Sequence, residues 1–291
     1  MNTIVGIGEV LWDCLPEGRK LGGAPANFAY HVGQFGWQSL VVSAVGNDAL
    51  GDEILQVFDE AKLPYNIARV AQPTGTVQVT LSADGIPSYE ICEDVAWDNI
   101  PWTNELADLA ARTKAVCYGS LAQRSDVSRS TVMRFIASMK EDTERICDIN
   151  LRQHFYSPEI VEESFRCATI LKLNDDEIGV VTRLLGLENG SLEEQCRQIR
   201  ECFPQLRMVI LTCGAIGSYV FSSDETSYIP TPKVEVADTV GAGDSFTATF
   251  VAQILAGKTI REAHSKAVAV SAFVCTQHGA MPVIPSELAE G

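Results

Sequence analysis

Along most of this chain, short apolar runs alternate with segments in which apolar residues recur every three or four positions. The runs at 3–8, 39–45, 114–118, 145–149, 168–173 and 207–212 are mostly apolar and predict strands buried on both faces. Amphipathic helices are predicted around 25–35, 50–61, 127–139, 158–166, 174–185 and 192–202. Strands and helices alternating in this way make a mostly parallel sheet covered on both faces, a three-layer α/β domain. Residues 65–97 break the rhythm. Thr76–Leu81 alternates polar and apolar residues, Asp84-Gly85 offers a turn and Ser88–Cys92 returns, which predicts consecutive strands. A second hairpin is predicted over 10–21, with Pro16-Glu17-Gly18 as its turn. Neither piece is long enough for a core of its own, so both are read as a small flap inserted into one domain of residues 1–291.

Composition narrows the partners. The 291 residues are 46% hydrophobic and 21% charged, enough apolar material for a large core. A net charge of −16 opposes approach to nucleic acid or to an anionic membrane. No apolar run approaches the ~18 residues that a membrane helix needs. Nine scattered cysteines include no Cys-x-x-Cys pair, which predicts free thiols in a reducing cytoplasm. The first residues enter a strand directly, without a basic region or cleavage site, so no secretion signal is expected.

The densest chemistry lies in Asp238-Thr239-Val240-Gly241-Ala242-Gly243-Asp244. Apolar spacing from Phe246 to Leu255 predicts a helix that starts at the Gly-Ala-Gly turn and ends near Gly257. Two glycines let the backbone turn tightly and approach a ligand, and the unpaired amides of a first helical turn favour an anion. Asp244 has two readings at this point. It is a first-turn acid favoured by the helix dipole, or a base that takes a proton from a hydroxyl attacking a bound phosphate. Upstream, Gly22-Gly23-Ala24-Pro25-Ala26-Asn27 opens another helix, with Pro25 suited to its first turn. The Gly22-Gly23 pair is either a plain turn or a hinge between flap and body. Asn27 either caps the helix or meets a substrate hydroxyl at the sheet end.

Together, Gly8-Glu9, Gly22-Gly23, Asp238 to Asp244 and the closing Thr276-Gln277-His278-Gly279-Ala280 resemble the ribokinase-like, or PfkB, family of carbohydrate kinases over essentially the whole chain. The resemblance implies a Rossmann-like three-layer α/β/α body with a small β-sheet lid over the sugar, and ATP with Mg2+ as cofactors. It implies that Asp244 is the catalytic base and that the amides of Gly241, Ala242 and Gly243 hold the charge on the transferred phosphoryl group. Asn174 and Glu177 match an Asn-x-x-Glu motif that organises magnesium and phosphate through water, and the same pair reads independently as a helix capping box. Thr212, Gly214 and Gly217 match a Thr-x-Gly-x-x-Gly nucleotide segment. Asp238, the Val240 carbonyl and Gly279 match a loop for a monovalent cation such as K+. Asp13 matches a carboxylate that binds sugar hydroxyls.

Asp148-Ile149-Asn150-Leu151-Arg152 is similar to the Asp-x-Asn-x-Arg segment of fructokinases and 2-keto-3-deoxygluconate kinases, which places Asn150 at the sugar and Arg152 at acceptor or phosphate. Arg152 also reads as a structural salt-bridge residue. Ile149 stands where fructokinases often carry proline, so a less rigid loop is expected. The segments Gly8–Asp13 and Gly119–Ala122 resemble fructokinases most. Glu93 and Asp94 predict an acidic lid that repels sugar acids and sugar phosphates. The resulting expectation is phosphorylation of D-fructose on O6. Ketodeoxygluconate or another sugar or nucleoside is the alternative within the family, and a non-catalytic sugar-binding regulator is the alternative outside it. A homodimer formed through the lids is expected to cover their edge strands.

Overall fold

A computed structural model describes residues 3–15, 18–81 and 87–289, with side chains outside 79–89. The chain begins with β1 (Thr3–Ile7), runs out into the hairpin β2 (Leu11–Leu15) and β3 (Gly18–Gly22), and returns through α1 (Ala24–Gly33) to β4 (Gln38–Gly46). Helix α2 (Ala49–Glu60) leads to β5 (Tyr65–Val70), after which β6 (Gly75–Leu81) and β7 (Pro87–Ile91) rejoin the hairpin. Then follow α3 (Asn104–Arg112), β8 (Thr113–Tyr118), α4 (Asp126–Ala137), β9 (Glu144–Asp148), α5 (Pro158–Cys167), β10 (Ile170–Asn174), α6 (Asp175–Leu184) and α7 (Leu192–Cys202). The last elements are β11 (Met208–Cys213), β12 (Gly217–Phe221), β13 (Thr226–Pro230), α8 (Ala242–Leu255), α9 (Ile260–Cys275) and the short α10 (Ser286–Ala289).

Nine strands form one sheet in the order β13-β12-β11-β10-β9-β8-β1-β4-β5. Every pair is parallel except the hairpins β11–β12 and β12–β13. The strands are buried on both faces because alternate residues feed two cores. Leu171, Leu173, Val209 and Leu211 pack with Leu109, Phe135 and Phe165 of α3, α4 and α5 on one side. Ile170, Met208 and Ile210 pack with Phe28, Phe250 and Ala267 of α1, α8 and α9 on the other. This is the ribokinase-like three-layer arrangement. No helix among the described residues is long and apolar enough to cross a membrane.

The second sheet has four strands in the order β3-β2-β6-β7. It differs from the sequence expectation in two respects. Tyr65–Val70, expected in the lid, instead pairs parallel with β4 at the edge of the main sheet, and the lid draws only β6 and β7 from the 65–97 segment. Period-two patterning cannot assign a strand to one sheet or another, and here Tyr65 and Ile67 pack on the cluster around Ile54 and Phe58. After β7 the chain turns into a 3-10 helix at Ala96–Asn99 rather than continuing as strand. The turn residues Pro16, Glu17, Asp84 and Gly85 lie outside the described residues.

The lid meets the body at Gly22-Gly23. Gly23 has φ 124°, outside the range of ordinary L-residues, and a Cβ there would lie 2.5 Å from the Glu9 carbonyl oxygen. A Cβ on Gly22 would lie 2.7 Å from Oδ2 of Asp13. Gly23→Ala is therefore expected to cost about 1–3 kcal/mol in urea denaturation and to lower turnover and sugar affinity together. Wild-type values in both measurements would remove the joint from any mechanical role.

Candidate active site

The chain leaves β1 toward β4 on one side and later returns to β8 on the other, so the strand order reverses beside the carboxyl end of β1. Ligands of open α/β sheets bind at such a reversal. Glu9, Gly119, Asp148, Asp244 and Thr247 all line one small cavity there.

Helix α8 supplies the centre. Its N-cap, Gly241, adopts the left-handed φ of 77° and no side chain caps the helix, while the Ala242 amide turns back to the Thr239 carbonyl at 3.3 Å. A Cβ on Gly241 would lie 2.6 Å from the Ala280 carbonyl oxygen, which also accepts a 2.9 Å hydrogen bond from buried His31. Burial pushes the His31 pKa down to about 4, so the ring is neutral near pH 7. The turn is thus backed by the loop after α9, pinned to α1.

Beneath the turn lies a buried ion pair. Nζ of Lys172 donates to Oδ1 of Asp148 at 3.1 Å, with side chains only 9% and 7% exposed. Thr247 donates to Oδ2 of Asp148 at 2.9 Å. A Cβ on Gly243 would lie 3.2 Å from Nζ of Lys172, so the ammonium sits directly under the middle of the turn. Burial disfavours the Lys172 charge, yet Asp148, Glu177 and Asp244 outweigh it and raise the pKa above lysine's ordinary value.

Asp244 faces the cleft from the first turn of α8. Asn27 Nδ2 donates to its Oδ2 at 2.7 Å, so Asn27 reaches the acid from α1 instead of capping its own helix. Burial first and the Asp148 charge second raise the Asp244 pKa to about 6, against the Asn27 bond, Lys172 and Arg152. Asp244 keeps a partly exposed surface, so an open cleft tempers this shift and a closed one enforces it. A carboxylate so tuned can accept a proton near neutral pH beside donors that hold an anion.

The lid contributes Asp13 and Lys20, directly paired across β2 and β3 and hence on one face. Burial raises the Asp13 pKa, while Arg152 and Lys20 oppose the rise. Exposed Arg152 makes a 3.0 Å bond to the Leu151 carbonyl, and its charge acts on Asp13, Asp244 and Glu9 alike, which places it over the same cleft. Its loop is firmly held despite Ile149. The Ile149 amide donates to the Lys172 carbonyl at 3.1 Å, a bond proline lacks, and Asn150 takes a left-handed φ of 46°.

Asn174 and Glu177 form the expected capping box. Oδ1 of Asn174 accepts from the Asp176 and Glu177 amides at 3.0 and 2.9 Å, and Oε2 of Glu177 accepts from the Asn174 amide at 2.9 Å. The other Glu177 oxygen accepts from the Leu151 amide at 2.9 Å, so Glu177 also fixes the loop carrying Asn150 and Arg152. With these oxygens committed to amides, the pair fits a magnesium ion held through water. Among the described residues no group of three or more His, Cys, Asp or Glu side chains is placed to hold a metal. Thr212 is the register partner of Asn174 on β11. Gly214, φ 49°, opens the β11–β12 turn, and Gly217 is required by close packing, since a Cβ there would lie 2.6 Å from the Ile229 carbonyl oxygen.

The Asp238 carboxylate is ringed by donors: the amides of Val240 at 3.1 Å and Gly279 at 3.3 Å, and Lys20 at 3.8 Å. Val240 and Gly279 thus meet Asp238 through their N–H groups, and Lys20 is a cation facing the acid. Glu93 and Asp94 follow β7 and line a separate cavity of about 360 Å³ with Arg124, His154 and Tyr156. They do not line the cavity beside Asp244.

Sequence reasoning passed over Lys20, Lys172 and Thr247 and treated Glu9 and Asp148 only as motif letters. The legible signal was Lys172, a charge within an otherwise apolar strand, since lysine is rarely buried without a partner. The raised carboxyl pKa values also bear on stability. Asp244 favours the folded state when protonated, an effect complete below its ordinary 3.8 and lost as pH rises through about 6. Asp244→Asn should accordingly be more stable than wild type at pH 8 by about 1–3 kcal/mol, with the difference vanishing toward pH 4. Urea denaturation at both pH values measures it, and a variant less stable at pH 8 would contradict the desolvation.

Residues 17–287 match the model of the pfkB family carbohydrate kinases. The chain is 30% identical over 281 residues to an ATP-dependent 6-phosphofructokinase of Thermoanaerobacterium thermosaccharolyticum, covering 94% of this chain and 84% of the relative. It is 26% identical over 314 residues to a fructokinase of Zea mays, covering 98% and 92%. The crystal structure of an uncharacterized sugar kinase from Pyrococcus horikoshii superimposes with a TM-score of 0.81 at 28% identity, covering 96% and 94% of the two chains. That protein has also been crystallised in complex with ATP. With a family match across nearly its whole length and a fold to agree, the chain belongs to the pfkB family of carbohydrate kinases.

Proposed function

We propose that this sugar kinase transfers the γ-phosphoryl group of ATP to an uncharged sugar, D-fructose, on O6. The observation that carries the reading is Asp244. Its carboxyl, pushed up to about 6, is held by Asn27 at the mouth of amides backed by the Lys172 ammonium. Asp244 takes the proton of the attacking hydroxyl as its oxygen closes on the phosphorus. The amides of Gly241 and Gly243, joined by that of Ala242 when it leaves the Thr239 carbonyl, stabilise charge on the transferring group with Lys172 below them. Magnesium bound with the nucleotide would neutralise phosphate charge, held through water by Asn174 and Glu177. Thr212 and Gly214 lie toward the nucleotide. Exposed Ile216 and Val236, on a turn and a loop joined by the Thr231 bond to the Gly214 carbonyl at 2.6 Å, offer apolar cover for its base.

Asp13, Asn27, Asn150 and Arg152 are the proposed sugar ligands. The acidic-lid argument for fructose lapses, because Glu93 and Asp94 line another cavity. What supports an uncharged sugar is charge balance. Three acids, Glu9, Asp13 and Asp244, meet Arg152 here, while Lys172 is engaged with Asp148 and Lys20, which also acts on Asp13, with Asp238. The fructokinase relatives and the Asp-x-Asn-x-Arg loop favour fructose. A phosphorylated sugar is the second reading, favoured by the phosphofructokinase relative and by Lys20 should it leave Asp238. The lid's outer strands β3 and β7 are edges of its sheet, and a second copy is the proposed cover.

Asp244→Asn should reduce turnover about 10²-fold or more while nucleotide binding is kept, read from steady-state kinetics and ATP titration. Near wild-type turnover would remove Asp244 from the role of base. Across D-fructose, fructose 6-phosphate, ribose, ketodeoxygluconate and adenosine, fructose should show the highest kcat/KM. A tenfold preference for an acidic or phosphorylated sugar would overturn fructose and leave the kinase reading standing. Light scattering should give a dimer, and a strict monomer would reject pairing of lids.

A further inference from the structure

Glu9 is a buried acid with no part in the steps above. It follows β1, is 4% exposed, and its Oε2 has no hydrogen-bond partner in the protein. Leaving a carboxyl so placed costs stability that a neutral side chain of the same shape would spare. Its surroundings point to a use. Glu9 and Asp244 line the same cavity, about 10 Å³, with Asp148 and Thr247 as its other polar walls. That is room for one water molecule, and the walls offer it enough polar partners.

We propose that Glu9 is the proton relay of this site, receiving through a cavity water the proton that Asp244 takes from the sugar. The inference rests on the reading of Asp244 as base. As the sugar oxygen bonds to the γ-phosphorus and the bond to the ADP oxygen breaks, the hydroxyl proton moves to Asp244. Asp244 then gives a proton to the water, and the water gives one to the Glu9 carboxylate, so that Asp244 is ionised again. Glu9 returns its proton to solvent once the cleft reopens. Glu9 never touches the sugar and acts only through Asp244.

The charges around Glu9 suit this transfer. Burial first and Asp244 next raise its pKa to about 7, against its own amide, Arg152 and the Ala24 amide. Once Asp244 is ionised its charge favours a proton on Glu9, so the two carboxyls form a coupled pair able to share one proton across the cavity. The other groups facing the cavity do not compete. Burial raises the pKa values of Cys117 and Tyr118, which stay neutral, and Asp148 is paired with Lys172.

The test compares pH profiles of kcat for wild type, Glu9→Gln and Glu9→Asp, together with infrared titration of protonated carboxyl groups. The acid limb of the wild type should have its midpoint near pH 7. In Glu9→Gln the limb should fall toward pH 6, and the plateau should drop about tenfold. Glu9→Asp, which keeps a carboxyl, should recover most of that loss. The infrared titration near pH 7 should vanish in Glu9→Gln and persist, moved to lower pH, in Asp244→Asn, where a neighbouring charge is gone. An unchanged pH profile in Glu9→Gln, or survival of the titration near 7, overturns the relay. If Glu9→Gln does not fold, Glu9→Asp and the Asp244→Asn spectrum still decide, since loss of all carboxyl titration near or below 7 attributable to Glu9 rejects the proposal. Full turnover by Asp244→Asn would instead refute the base itself, while an inactive Asp244→Asn beside an unaltered Glu9→Gln profile would refute only the relay.

Discussion

The ion pair between Lys172 and Asp148 is the interaction on which the rest of the site depends. Two strands of the parallel sheet, β9 and β10, bring the partners to adjacent positions, where Lys172 is also the register partner of Asp148. A buried charge is tolerable only when paired and hydrogen-bonded, and Thr247 supplies the remaining donor from α8. The pair therefore ties sheet to helix, and it places a fixed positive charge under Gly243. A side chain at 243 would separate the amides from that charge. Removing Lys172 would leave Asp148 uncompensated and push the neighbouring Asp244 still further from ionisation.

From this centre, the fold couples the two sides of the cleft through shared residues. Glu177 caps α6 beside Thr212 with one oxygen and holds the Leu151 amide with the other, so the start of α6 and the loop carrying Asn150 and Arg152 rest on one carboxylate. The Lys172 carbonyl receives the Ile149 amide, which adds the same loop to the ion-pair strand. The lid is joined more lightly. It depends on the conformation of Gly23 against the Glu9 carbonyl and on the Lys20 to Asp238 contact, the latter between partly exposed groups and of correspondingly small strength. A rigid floor with a lightly latched cover suits a reaction that must exclude water and then release product.

Three carboxyl groups, Asp13, Asp244 and Glu9, all have raised pKa values with burial as the leading cause. A fold selected for stability alone would not gather them. Their concentration around one cleft, with Arg152 as the common moderating cation, is the electrostatic sign of a site where protons move. It also means that the resting protein carries desolvation costs which its two large cores must offset.

The sequence by itself determined the layers. Apolar runs such as 168–173 and 207–212 can only be satisfied by burial on both faces, and the period of helices such as 158–166 gives each a face for the sheet. It also determined the glycine-led start of α8, because a left-handed residue before a helix favours glycine, and the Asn174 capping box, which is local. Tertiary structure decided what depends on distance in space. Tyr65–Val70 joined the main sheet because register and neighbouring side chains, which a period of two does not encode, chose its partner. Asn27 turned to Asp244, 217 positions away in the chain, instead of to its own helix. The acidic pair Glu93 and Asp94 went to a cavity beside Arg124, and the Asp238 carboxylate gathered the Val240 and Gly279 amides. Lys172 and Glu9 acquired their meaning only when the strands that carry them were set side by side, since burial and the charge of a neighbour are properties of the folded chain.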